Sequence, residues 1–271
     1  MRGDSEGTSR LVSEWNPVPR ADFVRSYRLL YPAAEPLSGA TGDGVLHGTT
    51  IAALKCDDGI VMAGDRRATE GMSIANRHME KLFEADRYSG VAIAGAAGPA
   101  IEMVRLFQVQ LEHYEKVEGV SLSLEGKANQ LAQMIRANFS MALQGLAVIP
   151  LFGGWDVDRK VGRIFTYDVA GGRYEEVSYH ATGSGGRDAR ATIKLGFRPG
   201  LRRIEAVELV TKALFEAAQE DAATGGPDLI RGIFPVVATV GEDGYHRVED
   251  ATLAEIATRQ EVAVRERSAL Q

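Results

Sequence analysis

One cysteine, Cys56, stands among 271 residues. That excludes an intramolecular disulfide framework and a cysteine-rich zinc site, and it fits a reducing, cytoplasmic setting. Positive charge is scarce: 31 Lys and Arg face 37 Asp and Glu, for a formal net charge of -6. A general nucleic-acid-binding surface needs a basic field, so this balance argues against nucleic acid as a partner. No apolar run reaches the roughly 18 residues of a membrane span. The opening MRGDSEGTSRLVSEW lacks the apolar stretch of a signal peptide. No membrane partner is expected. Familiar catalytic signatures are missing as well. Ser184 sits in TGSGG, but residue 182 is threonine where a nucleophile elbow has glycine. There is no H-E-x-x-H, no C-x-x-C and no Walker A lysine loop. His47, His78, His113, His180 and His246 have no metal-ligand spacing, so no metal site is expected of them.

What is present is an ordinary apolar fraction, 45%, and an unusual number of glycines, 30 of 271, about 11% against a usual ~7%. The length allows one large domain or two small ones. Composition changes near residue 48. Pro17, Pro19, Pro32 and Pro36 lie before it, no lysine does, and the segment ends in SGATGDGVLHG, which reads as a flexible linker. Residues 1–48 therefore read as an appendage with little fold of its own.

From Thr49 the pattern becomes regular. TTIAALKC and IVMAGDRRAT, joined at Asp57-Asp58-Gly59, predict two strands and a tight hairpin, and MEKLFEAD with YSGVAIAGAAG predicts a second pair. Residues 60–63 (IVMA) and 91–94 (VAIA) are apolar throughout, the pattern of strands covered on both faces. Ala100, Val104, Phe107, Leu111 and Tyr114 recur at helical spacing, and Ala128, Leu131, Ile135, Phe139 and Ala142 do so on a second helix. AVIPLFGGWDV, GRIFTYDVA and YEEVSYHATG predict a second strand group. Helices follow at about 184–195 and 203–220, the latter carrying Ile204, Val207, Leu214 and Ala218. GIFPVVATVGEDG predicts a late strand, and 251–266 a charged final helix. This order fits an α+β fold, a four-layer αββα sandwich in which two sheets pack on each other with helices outside. The hairpin links argue against a doubly wound parallel sheet.

The chemistry concentrates at HGTT, residues 47–50. A flexible segment ends in glycine, and a threonine follows at the start of a buried strand. A threonine hydroxyl is a weak nucleophile until a base takes its proton. A free α-amine on the same residue can be that base, with an unperturbed pKa of about 7.7–8.0. That requires removal of everything before Thr49, and Gly48 would permit the backbone bend for Thr49 to attack its own preceding carbonyl.

GTTIAALK, then GIVMAGDRRAT with Asp65 sixteen residues after Thr49, then Lys81 sixteen further on, resembles the start of proteasome β-subunits. GSGG at 183–186 and EDAATGGPDLIRGIFP at 220–235 extend the resemblance over 49–250, and it looks closest to the actinobacterial β-type subunit. The resemblance implies the N-terminal-nucleophile hydrolase fold, a propeptide over 1–48, autolytic cleavage of Gly48–Thr49 and a catalytic domain over 49–271. Thr49 would be nucleophile and, once free, amine base. Lys81 matches the lysine beside the nucleophile, and Asp65 the carboxylate that orients it. On composition alone these two would read as a solvated lysine and a turn aspartate. Gly95 matches the oxyanion position, through its backbone N–H. Ser184 and Asp221 match the pair near the amine, and Thr224 stands where much of the family has serine.

Ala68, Met79, Phe83, Ile93, Ala97 and Ile101 match the lining of the family's specificity pocket. All are uncharged, which implies cleavage after hydrophobic residues. Thr69 and Ala97 match backbone positions that pair with an extended peptide. Arg66 and Arg67 read as structural ion-pair partners, and Cys56 as a packed thiol. The family's partners are implied too: other β-subunits in heptameric rings, α-subunits, an ATPase regulatory ring, and protein substrates carrying a ubiquitin-like tag. The competing readings are an inactive or α-type ring component, and the related dodecameric bacterial peptidase. The arginine pair after Gly64-Asp65 and the long leader count against the peptidase, and the intact Thr49, Asp65, Lys81 and Ser184 set counts against a scaffold.

Overall fold

The computed structural model describes residues 48–71 and 73–269, without the side chains of 267–269. The appendage and linker expected before Gly48 lie outside the described residues. Twelve strands and six helices run through the rest. β1 (Thr50–Cys56) and β2 (Gly59–Gly64) form the expected hairpin across Asp57-Asp58, with Cys56 opposite Gly59. β3 (Ala68–Glu70) and β4 (Ser73–Asn76) make a small two-stranded ribbon, and β5 (Leu82–Asp86) and β6 (Ser89–Gly95) a second hairpin. Two helices follow, α1 (Ala97–Glu118) and α2 (Leu124–Ala137), then a short α3 (Phe139–Leu143). β7 (Val148–Asp156), β8 (Val161–Tyr167), β9 (Arg173–Glu176) and β10 (Tyr179–Gly183) lead to α4 (Gly186–Gly196) and α5 (Arg203–Glu220). β11 (Val236–Gly241), β12 (Gly244–Arg247) and α6 (Asp250–Ala269) complete the described chain.

The strands assemble into two five-stranded antiparallel sheets, ordered β10-β1-β2-β11-β12 and β5-β6-β7-β8-β9. Three apolar clusters define four layers. Ile51, Ala53, Ile60 and Met62 of one sheet meet Leu82, Ala92, Leu151 and Ile164 of the other. Ala52, Leu54, Val61 and Ala63 point the opposite way, onto α4, α5 and α6. Val91, Ile93, Phe152 and Phe165 likewise face α1 and α2. Alternate residues thus serve two cores, because successive side chains leave a strand on opposite faces. That is why residues 60–63 and 91–94 carry no polar side chain.

Four sequence expectations are corrected. The strand expected through IVMAGDRRAT stops at Gly64, because the Asp65 carboxylate takes the Arg67 backbone N–H at 2.8 Å and bends the chain there. YEEVSYHATG is not one strand: it breaks at Val177-Ser178, and β9 and β10 belong to different sheets. The second helix ends at Ala137, where the Asn138 side chain donates to the Met134 carbonyl, so Phe139 and Ala142 sit half-buried on α3. Tyr114 and Ile204 are exposed, and the buried stripe of α5 runs through Ala206, Val207, Val210, Ala213, Leu214 and Ala217.

Phe152 is fully buried, edge-on to Phe107 at 5.8 Å and stacked on Phe165 at 6.1 Å. Phe152→Ala should lower unfolding stability by about 3–5 kcal/mol, read from denaturant unfolding followed by circular dichroism. A loss below about 1 kcal/mol would show that the α1/α2 layer does not depend on this packing.

Candidate active site at the start of the first strand

Pairing of β1 with its two neighbours gathers the site. Thr50 pairs with Gly183 on β10, so Thr49, one residue before β1, meets Ser184, one residue after β10. The Ser184 N–H donates to the Thr49 carbonyl at 2.8 Å, and the Thr49 N–H donates to Ser184 Oγ at 3.2 Å. This approach needs glycine at 183: its φ is +98°, and a Cβ there would lie 1.8 Å from the Thr49 carbonyl oxygen. On the other side, Ile51 pairs with Gly64, which places Asp65 beside Thr50.

Asp65 has no solvent exposure and accepts four hydrogen bonds. Thr50 N–H (2.8 Å) and Lys81 Nζ (2.7 Å) reach Oδ1, while Arg67 N–H (2.8 Å) and Gly225 N–H (2.9 Å) reach Oδ2. Lys81, 1% exposed, comes from the opposite sheet, one residue before β5. Its ammonium donates to Asp65, to the Arg67 carbonyl at 2.5 Å and to the Gly48 carbonyl at 2.9 Å. An ammonium has three protons, so its capacity is filled. Burial disfavours the charged form and brings the Lys81 pKa below the ordinary 10.5, although Asp65 and Asp221 act against the shift.

Asp221 caps the C-terminus of α5 and completes the other half of the site. Its Oδ2 accepts from Ser184 Oγ at 2.5 Å and from Thr224 Oγ1 at 2.6 Å. Burial would raise its pKa, but the hydrogen bonds from Ser184 and Thr224, with help from Lys81, outweigh it and hold the carboxyl below 3.8.

A small pocket beside Thr49 is lined by Gly48, Ala68, Met79, Lys81, Ile93, Ala94, Gly95, Ala97 and Ala100. It contains four of the six side-chain positions expected from the sequence. Phe83 and Ile101, both half-buried, pack against the same apolar cluster as the pocket residues Ile93 and Ala100. Thr69 is buried, and its Oγ1 accepts from the Gly48 N–H at 3.1 Å. Gly95 lines the pocket with φ +104°, and a Cβ there would lie 2.1 Å from the Ala147 carbonyl oxygen. A roomier groove between α5 and α6 is lined by Glu208, Lys212 and Arg259 and has no hydroxyl or thiol side chain among its lining residues.

Sequence reasoning missed Thr50, whose hydroxyl lies 2.6 Å from Thr224 Oγ1, and the backbone groups of Arg67 and Gly225. The doubled threonine at 49–50 was the one available signal for Thr50. Arg66 is an ion-pair partner, to Glu80 at 3.8 Å, whereas the Arg67 guanidinium bonds the Ala222 carbonyl. Cys56 packs against the core with its thiol pushed up to about 12, by burial first and then by Asp58.

The profile of the family described as proteasome subunit matches residues 45–230. The chain belongs to the proteasome subunit family. The proteasome subunit beta of Acidimicrobium ferrooxidans is 71% identical over 85% of both chains. That of Streptomyces griseus is 57% identical, covering 82% of this chain and 78% of its own. That of Stackebrandtia nassauensis is 49% identical over 98% of each. This chain has the role of a β-type member of the proteasome family, and its four-layer sandwich is the N-terminal-nucleophile hydrolase fold. Among the described residues, no helix is long and apolar enough to cross a membrane.

The lowered Asp221 pKa gives a pH prediction. Its stabilising contribution is present above 3.8 and is lost as pH falls through the lower folded value. Ser184→Ala removes the shorter donor. The stability difference from wild type, by denaturant unfolding, should be full near about pH 6 and shrink as pH drops below about 4. A difference independent of pH would contradict the assignment.

Proposed function

We propose that the chain is made as a zymogen and, once processed, acts as a threonine endopeptidase of a proteasome core particle. The observation that carries this reading is the Lys81 ammonium, 2.9 Å from the carbonyl oxygen of Gly48, at the bond to be cut, and fixed there by Asp65. A cation at that oxygen draws electron density from the carbonyl carbon that the Thr49 hydroxyl would attack.

Self-cleavage then proceeds in two steps. Thr49 Oγ adds to the Gly48 carbonyl carbon, the C–N bond breaks, and the hydroxyl proton passes to the departing nitrogen. The resulting ester between Gly48 and Thr49 is hydrolysed by water, which releases residues 1–48 with a carboxylate end and restores the hydroxyl. Departure of Gly48 frees one Lys81 proton beside Thr49 and unmasks the α-amine as a base. Gly48 also suits a single-use position, since a Cβ there would lie 2.0 Å from Ala223 Cβ.

With substrate the same hydroxyl forms an acyl-enzyme that water resolves, while the Gly95 N–H faces the developing oxyanion. Ala68, Met79, Ile93 and Ala97 make the pocket uncharged, which favours hydrophobic side chains before the cut. The substrate backbone pairs with Thr69 and Ala97 as an added strand. The chemistry needs no metal or organic cofactor. In this reading the catalytic domain, 49–271, assembles in heptameric β-rings against α-subunits, in the cytoplasm. An ATPase ring feeds it unfolded proteins, some carrying a ubiquitin-like tag.

Intact mass of the purified particle tests the reading: the chain should begin at Thr49, and Thr49→Ala should stay whole and lose peptidase activity. An active particle in which every chain keeps residues 1–48 would contradict it. Lys81→Ala should leave Gly48–Thr49 uncut, and correct self-cleavage in that variant would remove lysine from the mechanism.

A further inference from the structure

Thr50 is fully buried, and its two polar contacts, together with the bond from Thr224 to Asp221, fix the direction of its hydroxyl. The Gly185 N–H donates to Thr50 Oγ1 at 3.0 Å, so that oxygen is already an acceptor. Thr224 Oγ1, also fully buried and 2.6 Å away, donates its single proton to Asp221 Oδ2. The remaining proton between the two hydroxyls must therefore run from Thr50 to Thr224. The same reasoning applies across Asp221. The Ser184 proton goes to Asp221 at 2.5 Å rather than to the Thr49 carbonyl at 3.3 Å, so Ser184 Oγ can only accept from the Thr49 nitrogen. A one-way chain results, from Gly185 and Thr50 through Thr224 to Asp221, met from the other side by Thr49 and Ser184. A Cβ at residue 185 would lie 2.7 Å from both Thr50 Oγ1 and Thr224 Oγ1, so the hydroxyl pair occupies the space that glycine leaves.

We propose that the Thr50 hydroxyl is a positioning group for the reaction: through Thr224 and Asp221 it commits Ser184 to accept from the Thr49 nitrogen. The amine's lone pair is then left free to take the proton of the Thr49 hydroxyl. This rests on Thr49 being nucleophile and base. Thr50's backbone has separate duties, with its N–H on Asp65 and its carbonyl on the Asp65 N–H at 3.0 Å, so side-chain substitutions leave that half of the site intact.

The test compares processed particles of wild type, Thr50→Val and Thr50→Ser on a fluorogenic peptide with a hydrophobic residue before the cut, rates taken per titrated active site. Valine keeps the shape without the hydroxyl. It should lower kcat roughly tenfold, the scale of one hydrogen bond, with KM changed by less than about twofold. The acid limb of the kcat profile should move to higher pH as Asp221 loses part of its support. Thr50→Ser should return kcat to within about twofold of wild type. Thr224→Val breaks the chain one link further on and should give the same loss and shift, even where Thr50→Val does not assemble. Wild-type kcat and pH profile in processed Thr50→Val or Thr224→Val would overturn the proposal, as would a serine variant as impaired as valine. Thr49→Ala separates the two levels. Activity surviving there contradicts the threonine mechanism itself, whereas an inactive Thr49→Ala beside an unimpaired Thr50→Val contradicts only the role of Thr50.

Discussion

Lys81 and Asp65 meet at 2.7 Å with almost no solvent around them, one reaching from each sheet. Taking both charges out of water is costly, and such a pair persists only when every proton and lone pair around it has a partner. Here each is supplied by the chain bends that build the site: Arg67 and Gly225 N–H groups for the carboxylate, Arg67 and Gly48 carbonyls for the ammonium. Removing either partner alone would leave a buried charge uncompensated, a loss of about 3–5 kcal/mol. The pair thus constrains where β2 must end, where β5 must begin and where Gly48 must lie.

The layers around it explain how so exposed a task as cutting a peptide bond is given to buried groups. The two sheets pack through Ile51, Met62, Leu82 and Ile164, and helices cover both outer faces. A rigid strand start holds Thr49, and the flanking strands hold Asp65 and Ser184 at fixed register. Elements of this kind place reacting groups more tightly than loops do. Asp221 and Thr224 lie just beyond α5 and close the arrangement with hydroxyl protons that point one way.

Much of this was legible in the chain itself. Apolar runs such as IVMA and VAIA reported strands covered on both faces, and hairpin links ordered them into two antiparallel sheets. The spacing of Thr49, Asp65 and Lys81 carried the central site by resemblance, where each residue alone would have read as surface. Illegible were features that depend on long-range contact. Nothing in YEEVSYHATG marks Val177 as the crossing from one sheet to the other. Phe83 and Ile101 are as apolar as Ala68, Met79, Ile93 and Ala97, and residue type alone does not tell which of the six line the small pocket beside Thr49. Thr50 was hidden because its partners, Gly185 and Thr224, are 135 and 174 residues away. Backbone N–H and carbonyl groups, which supply much of the coordination of Lys81 and Asp65, leave no trace in side-chain identity.

In the mechanism proposed above, a free N-terminal Thr49 performs the chemistry. An electrophilic peptide inhibitor with a hydrophobic residue at the reacting position, followed by mass mapping of the labelled chain, tests it most directly. The predicted result is one adduct per inactivated site, on the peptide that begins with Thr49. An adduct on any other residue, or on a chain still carrying Gly48 before it, would contradict the claim.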